Sequence, residues 1–436
     1  MRGLLTDEEL QRYVAAFHDD FYRGIRINTL KCSAEKAKEL LPFELSPAPF
    51  CENGFYIPFE TKGLGLHPLH HAGAFYAQEP SAMSAVTVLS AEPGDRVLDL
   101  CAAPGGKSTQ IAAQLGGKGL LWSNEIIKSR ANILLSNIER MGIANAVVSS
   151  CRPDRLCEAL SGYFDKVLVD APCSGEGMFR RDDAAVSEWS AEHSHACAER
   201  QLAILNSAAE ALCEGGTLVY STCTFSREEN EGVIERFLDS HKDFEPEDCG
   251  VSFGRRALGF AVRILPEDGG EGHFAAKLRK KGERLPRSGS GFHAVRTPEV
   301  KEAERLYDEL LVGRPFGERF ESAGDKLLLL PEEDIPALHG LGILRAGLLF
   351  GEIKKNRIEP CHALFMAAKP EQLKQCVALK LSDERLGRFL RGEEIEADSS
   401  LRGFTAVLTE GITTGFGKAV NGTLKNRYPK GLRNCV

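Results

Sequence analysis

No stretch of this 436-residue sequence approaches the ~18 consecutive apolar residues that a membrane-spanning helix needs. Its start, Met1-Arg2-Gly3-Leu4-Leu5-Thr6-Asp7-Glu8-Glu9, also lacks a secretory hydrophobic region. A cytoplasmic location without a membrane partner is expected. The 13 cysteines are an odd number without disulfide-framework spacing, which fits free thiols in a reducing compartment. Internal repeats and low-complexity tracts are missing too. The net charge of −8 gives no overall basic field and argues against indiscriminate nucleic-acid binding. Two local exceptions stand out. From Gly411 to Val436 the chain carries Lys418, Lys425, Arg427, Lys430 and Arg433 and no acid; from Lys277 to Arg296 it carries Arg279, Lys280, Lys281, Arg284 and Arg287 against the single acid Glu283. Such runs suggest guided phosphate contacts, although on charge alone the second reads as a solvated linker. The length suggests about three domains.

Two cysteines each follow an apolar run that reads as a buried strand: Val167-Leu168-Val169-Asp170-Ala171-Pro172-Cys173-Ser174 and Leu218-Val219-Tyr220-Ser221-Thr222-Cys223-Thr224. Most cysteines are small buried hydrophobes, but these have unusual neighbours. Pro172 cannot continue a central ladder, and Ser221, Thr222 and Thr224 surround the second thiol with polar, turn-forming side chains. Neither thiol sits in a CxxC pair or near a His-x-x-x-His pair, so no metal is expected. In an open α/β sheet the carboxyl ends of the strands hold ligands, so both thiols can face one substrate. Nucleophilic catalysis by a thiolate suits a poor nucleophile such as cytosine, whose C5 accepts a methyl group only after addition at C6.

The pattern along the chain predicts the surroundings of these strands. Up to residue 91 helical and extended signals mix, with a capping box from Thr6 to Glu9 ahead of an amphipathic stretch and a strand over 25–30. From residue 96 strands (97–100, 120–123, 146–149, 166–170, 217–220) alternate with helices (107–115, 127–141, 154–160, 193–213, 227–238), the signature of βαβ units on a parallel sheet. Two later runs, 260–265 and 272–278, would add an antiparallel edge. Residues 280–297 are the best linker, and beyond them the chain reads as smaller α+β material with strands over 326–330 and 404–408.

The loop Asp99-Leu100-Cys101-Ala102-Ala103-Pro104-Gly105-Gly106-Lys107-Ser108 leads from the first of these strands into a helix, where small residues and free N–H groups accept a ligand. A P-loop would need glycine where Cys101 stands, and Pro104 stiffens the turn. At the end of the next strand Glu125 occupies the position from which a doubly wound fold binds ribose hydroxyls, a solvated strand-end acid being the alternative. Without a GxGxxG run for a pyrophosphate, S-adenosylmethionine fits better than NAD.

The segment from about Arg23 to Lys280 resembles the Sun-type RNA (cytosine-5)-methyltransferases, and the whole chain resembles their RsmF branch, which acts on 16S ribosomal RNA. The resemblance rests on Arg26-Ile27-Asn28-Thr29-Leu30-Lys31, Gln78-Glu79-Pro80-Ser81, Cys101 to Lys107, Asn124-Glu125, Asp170 to Gly177, Ser221 to Phe225, Arg263 with Pro266, and Gly272-His273-Phe274. It implies an α/β fold: a doubly wound, Rossmann-like methyltransferase sheet with an antiparallel edge, an N-terminal α+β segment and a C-terminal PUA-like RNA-binding domain. The expected division is 1–91 as RNA-binding or accessory segment, 92–280 as methyltransferase, 281–299 as linker and 300–436 as the α+β region ending in the PUA-like module. The resemblance implies that Cys223 attacks C6, that Cys173 helps release the product, and that Asp170 lies beside the methyl donor and the base. It further implies that Glu125 holds the ribose and that Cys101, Ala102, Ala103, Pro104, Gly105, Gly106 and Lys107 hold the methionine part, with Arg130 a candidate for the cofactor carboxylate. Relatives place an acid near the end of the third strand against adenine; here Cys151 stands there and Asp154 is displaced toward the helix, so that contact stays unassigned. The run from Gly415 to Arg433 looks like the end of the PUA-like module, which makes Lys418, Lys425, Arg427, Lys430 and Arg433 RNA-binding candidates. The expected partner is RNA, either 16S ribosomal RNA in the small subunit or transfer RNA, with the protein a monomer. A P-loop NTPase and a non-catalytic RNA-binding protein are the competing classes.

Overall fold

A computed structural model describes residues 6–284, 297–336, 339–355 and 357–434. At its centre are five parallel strands, β1 (Arg96–Asp99), β2 (Leu120–Asn124), β3 (Ala146–Ser149), β4 (Phe164–Asp170) and β5 (Leu212–Thr222). They are joined by α1 (Gly106–Leu115), α2 (Lys128–Arg140), α3 (Pro153–Ala159) and α4 (Ala191–Ala211), and α5 (Glu231–Ser240) follows β5. Two antiparallel strands, β6 (Ala261–Ile264) and β7 (His273–Lys280), extend the sheet beside β5. The spatial order runs Arg255–Ala257, β6, β7, β5, β4, β1, β2, β3 and then β8 (Ile343–Ala346). β1 therefore has β2 on one side and β4 on the other, and ligands in such sheets sit at this switch point.

The sheet is buried on both faces, so its strands are apolar throughout and alternate between two cores. Leu98, Trp122, Val147, Val167, Val169, Leu218 and Tyr220 point to the side covered by α3, α4 and α5. Val97, Leu121, Val148, Leu168 and Val219 point to the other, where they meet Ile111, Leu115, Leu134 and Ile138 of α1 and α2 and Val86 and Leu89 of the preceding helix Ser84–Leu89. Strand length is thereby tied to the cores, while the polar residues at the carboxyl ends are left to the site.

Several boundaries differ from the sequence reading for physical reasons. The N-terminal strand is Gly24–Ile27 and stops before Asn28, whose Nδ2 donates to the carbonyls of Gly73 and Met141, both at 2.9 Å. β5 begins at Leu212, so Cys213 is strand, and it continues through Thr222. The helix expected from 227 starts at Glu231, because Glu229 and Asn230 are buried and turn their side chains inward. The expected capping box is present: Thr6 Oγ1 receives the Glu9 amide at 3.3 Å and the Glu9 carboxylate receives the Thr6 amide at 2.8 Å.

Around this body lie a four-stranded sheet over residues 24–77, a second four-stranded sheet over 320–360, and a five-stranded sheet over 376–426. The last contains β9 (Gly403–Thr409), β10 (Ile412–Val420) and β11 (Thr423–Asn426). β8, from the C-terminal part, pairs antiparallel with β3 and ties that part to the central sheet. Of the expected linker, residues 285–296, including Arg287, lie outside the described residues. Before it, Arg284 pairs with Asp165 at 2.6 Å, Lys277 with Glu247 at 2.6 Å, and Lys280 Nζ donates to the carbonyls of Ala209 and Leu212 at 2.8 and 3.0 Å.

Candidate active site

The parallel register sets Asp170 at the end of β4 beside Ser221 near the end of β5. Both chains turn there, and the turns stay stitched together: the Ala171 amide donates to the Ser221 carbonyl and the Gly177 amide to the Cys223 carbonyl, each at 2.8 Å. As a result Cys173 Sγ lies 3.3 Å from Cys223 Sγ, with both residues partly exposed. The hydrogen bond to Cys223, with burial adding to it, pushes the Cys173 thiol well above its ordinary value.

Asp170 lies at the strand end beneath them. Its Oδ2 accepts from Lys107 Nζ at 2.7 Å and its Oδ1 from Ser221 Oγ at 2.8 Å, with His273 Nε2 at 3.7 Å. Burial would raise the carboxyl, but the Lys107 ammonium and the hydrogen bonds from Lys107 and Ser221 outweigh it and leave Asp170 below its usual range. His273 is buried with both ring nitrogens lacking a hydrogen-bond partner among the described residues, and burial lowers it to about 3, so it is neutral.

The loop after β1 is held by side chains from three directions. Arg26 Nη1 donates to the Gly106 carbonyl at 2.8 Å, Arg130 Nη2 to Ala103 at 3.1 Å, and Asn137 Nδ2 to Pro104 at 2.9 Å. Gly105 has φ +115°, and a Cβ there would stand 3.1 Å from Leu134 Cδ1, so the turn into α1 requires glycine. Arg26 is buried, desolvation lowers it to about 10, and it also binds Gln78 and Thr109. Sequence reasoning gave Arg26 and Gln78 no role; their signal was the paired motifs at 26–31 and 78–81. Lys107 leaves the loop to meet Asp170. Cys101 stays on the cleft, but burial, with Asp99 and Asp170 adding to it, pushes its thiol well above the ordinary value.

Glu125 is almost fully buried; it accepts from the Ile127 amide at 2.9 Å and pairs with Arg130 at 3.4 Å. One cleft of about 740 Å³ brings these groups together: Cys101, Ala103, Glu125, Arg130, Asp170, Cys173 and Cys223 all line it. Its lining suits a nucleoside with a charged tail: a buried acid at the end of β2, an arginine beside it, and Cys101 and Ala103 of the loop after β1.

Residues 86–279 match the family described as 16S rRNA methyltransferase RsmB/F. Residues 1–80 match the N-terminal domain of 16S rRNA methyltransferase RsmF, residues 306–367 the first C-terminal domain of RsmF rRNA methyltransferase, and residues 376–434 the methyltransferase RsmF PUA domain. The chain belongs to the RsmF family. A protein of Erwinia tasmaniensis named ribosomal RNA small subunit methyltransferase F is 33% identical over 99% of this chain and 95% of its own length. One of the same name from Vibrio cholerae is 34% identical over 99% and 96%. Among solved structures, a methyltransferase homolog protein from Pyrococcus horikoshii is 30% identical with a TM-score of 0.55, covering 63% of this chain and 92% of that one. NSun6 from Pyrococcus horikoshii shares the fold, with a TM-score of 0.58 at 24% identity over 65% and 97%.

Within this RsmF-family chain, Cys151 does not reach the cleft. It is buried, its amide donates to Asn124 Oδ1 at 3.1 Å and its carbonyl accepts from Asn124 Nδ2 at 3.0 Å. Asp154, in the first turn of α3, lines the cleft instead, bound by Arg152 at 2.8 Å. The PUA residues divide as well. Lys418 on β10 and Lys425 on β11 are direct cross-strand partners and both exposed. Lys418 Nζ also lies over the Phe404 ring of β9, 5.5 Å from its centroid. Arg427 is exposed 3.9 Å from Glu359, and Lys430 is exposed. Arg433 is half-buried and its guanidinium donates to the Tyr428 carbonyl at 3.3 Å, which makes it part of the module's own closure.

Proposed function

We propose that the chain is an S-adenosylmethionine-dependent methyltransferase that modifies cytosine C5 in 16S ribosomal RNA through a covalent adduct between Cys223 and C6. The reading rests on one observation above the others: two partly exposed thiols 3.3 Å apart at adjacent strand ends, over the half-buried Asp170 carboxylate, in the cleft that also holds Glu125.

Cys223 Sγ adds to C6, which makes C5 nucleophilic. When bound, S-adenosylmethionine supplies an electrophilic methyl group on a sulfonium. Glu125 would accept from the ribose hydroxyls, Arg130 would meet the carboxylate, and the Cys101–Lys107 loop would hold the methionine part. Asp154, on the wall of the same cleft, would be available to the adenine. Asp170, kept ionised by Lys107, accepts from the cytosine edge and orients the ring. In release the C5 proton passes to solvent water, its electron pair forms the C5–C6 double bond, and the S–C6 bond breaks to return the Cys223 thiolate; Cys173, within contact of Cys223 Sγ, assists this last step. The base has to leave its stack to enter the cleft.

On this reading residues 1–91 are an accessory RNA-binding segment, 92–280 the methyltransferase, 281–299 a connector and 300–436 the region that ends in the PUA module. Lys418, Lys425, Arg427 and Lys430 grip the RNA backbone, and the enzyme works in the cytoplasm as a monomer. The match to RsmF along the whole chain favours ribosomal over transfer RNA. Bisulfite sequencing of total RNA from a strain lacking the gene tests this: a cytosine in 16S rRNA that loses protection supports it, and loss confined to transfer RNA refutes it.

A further inference from the structure

Each thiol turn is fastened by a carboxylate that follows the other thiol in sequence. Glu176, just beyond Cys173, accepts from Thr224 Oγ1 at 3.1 Å and the Phe225 amide at 2.9 Å. Glu229, just beyond Cys223, accepts from the Ser174 amide at 2.9 Å, Ser194 Oγ at 2.7 Å and Gln201 Nε2 at 2.8 Å. The same Gln201 nitrogen donates to the Pro172 carbonyl at 3.0 Å. Glu229 is fully buried, at 0% exposure, and all three of these donors are neutral. A carboxylate buried among neutral donors is expensive to keep, and apolar packing would serve stability alone equally well. Its place, on the Ser174 amide directly and on the Pro172 carbonyl through Gln201, suggests another purpose.

We propose that Glu229 is a positioning residue for Cys173, whose buried carboxylate fixes the Pro172–Ser174 turn and sets the charge next to the thiol, so that Cys173 is held back for release while Cys223 attacks. This deepens the proposed function and rests on its assignment of attack to Cys223. The electrostatics agree, since the hydrogen bond to Cys223 and burial raise the Cys173 thiol and the Glu229 charge adds to them. The other ionisable groups around the turn are Tyr220 on β5 and Cys223 just after it, Asp170 with Lys107 and His273 behind it, Glu176, and Cys197 and Arg200 on α4.

Glu229→Gln separates charge from shape, because its carbonyl still receives the Ser174 amide and its NH₂ faces a hydroxyl that can accept. In a Cys223→Ser background, alkylation of Cys173 by iodoacetamide, read by peptide mass spectrometry across pH, is expected to shift to lower pH in Glu229→Gln. With Cys223 intact, Glu229→Ala is expected to lower kcat about 10-fold or more with RNA KM little changed, and to accumulate the RNA adduct. Coincident alkylation profiles in a Glu229→Gln protein of unchanged melting temperature overturn the proposal. Alkylation does not depend on which thiol attacks, so failure of Cys173→Ala to trap an adduct refutes the thiol roles without deciding for Glu229.

Discussion

Lys107 Nζ donates to Asp170 Oδ2 at 2.7 Å, joining the cofactor loop to the strand end beneath the two thiols. Asp170 sits below its usual range in the folded protein, so the stability from this pair is present above the unfolded carboxylate value of about 3.9 and is lost as pH falls through the lower folded value. Burial alone would lower Lys107, but Asp170 outweighs burial and raises it, so its share is lost only as pH rises through that raised value. The pair is therefore intact across neutral pH. Lys107→Met is expected to move the acid limb of the single-turnover methylation profile to higher pH, since Asp170 then keeps its burial penalty without the cation. An unmoved limb contradicts the role given to this pair.

Asp99, beneath the same loop, behaves in the opposite way. Burial raises it to about 7, although Ser108 Oγ donates to it at 2.7 Å, and its Oδ1 has no partner among the described residues. The folded state thus binds more protons than the unfolded state between about pH 4 and 7, and stability falls as pH rises through that window. Asp99→Asn is expected to add on the order of 2–4 kcal/mol at pH 8 and almost nothing near pH 4. Urea unfolding of the ligand-free protein at several pH values measures this, and parallel pH curves for the two proteins contradict it.

The central sheet was legible because a sheet buried on both faces writes continuous apolar runs, such as Val167-Leu168-Val169, between turn signals. The thiol pair was legible for a related reason, since strand ends in a parallel sheet share one edge. The clamps were hidden. Arg26 reaches Gly106 from a separate sheet, and Lys107 belongs to a loop motif that gives no hint of Asp170 as its partner. Residues 227–230 look helical by composition, but Glu229 and Asn230 form buried hydrogen bonds, and tertiary contacts overrode local propensity. β8 was missed because a four-residue edge strand far along the chain carries too little pattern to reveal its pairing with β3.

For the cofactor, Glu125→Gln keeps size and one acceptor but loses charge-assisted bonds to ribose hydroxyls and the pairing with Arg130. The cost is about 1.5–3 kcal/mol, or roughly 10- to 100-fold in S-adenosylmethionine affinity. Titration calorimetry on the folded variant measures it; unchanged affinity removes Glu125 from the site.

RNA capture should separate from chemistry at the facing lysines of the PUA module. Lys418→Glu with Lys425→Glu is expected to weaken RNA binding and flatten its salt dependence by about 0.7 per lost phosphate contact, with cofactor affinity unchanged. Normal binding at several salt concentrations would show these lysines to be ordinary solvated charges.

The covalent step is tested most directly by denaturing gel electrophoresis of the thiol variants after incubation with S-adenosylmethionine and substrate RNA. Cys173→Ala should retain a protein–RNA adduct that survives denaturation, because the attacking thiol remains and the releasing one is gone. Cys223→Ala and the double variant should form none. An adduct in Cys223→Ala that disappears when Cys173 is also replaced would reverse the two roles and contradict the account.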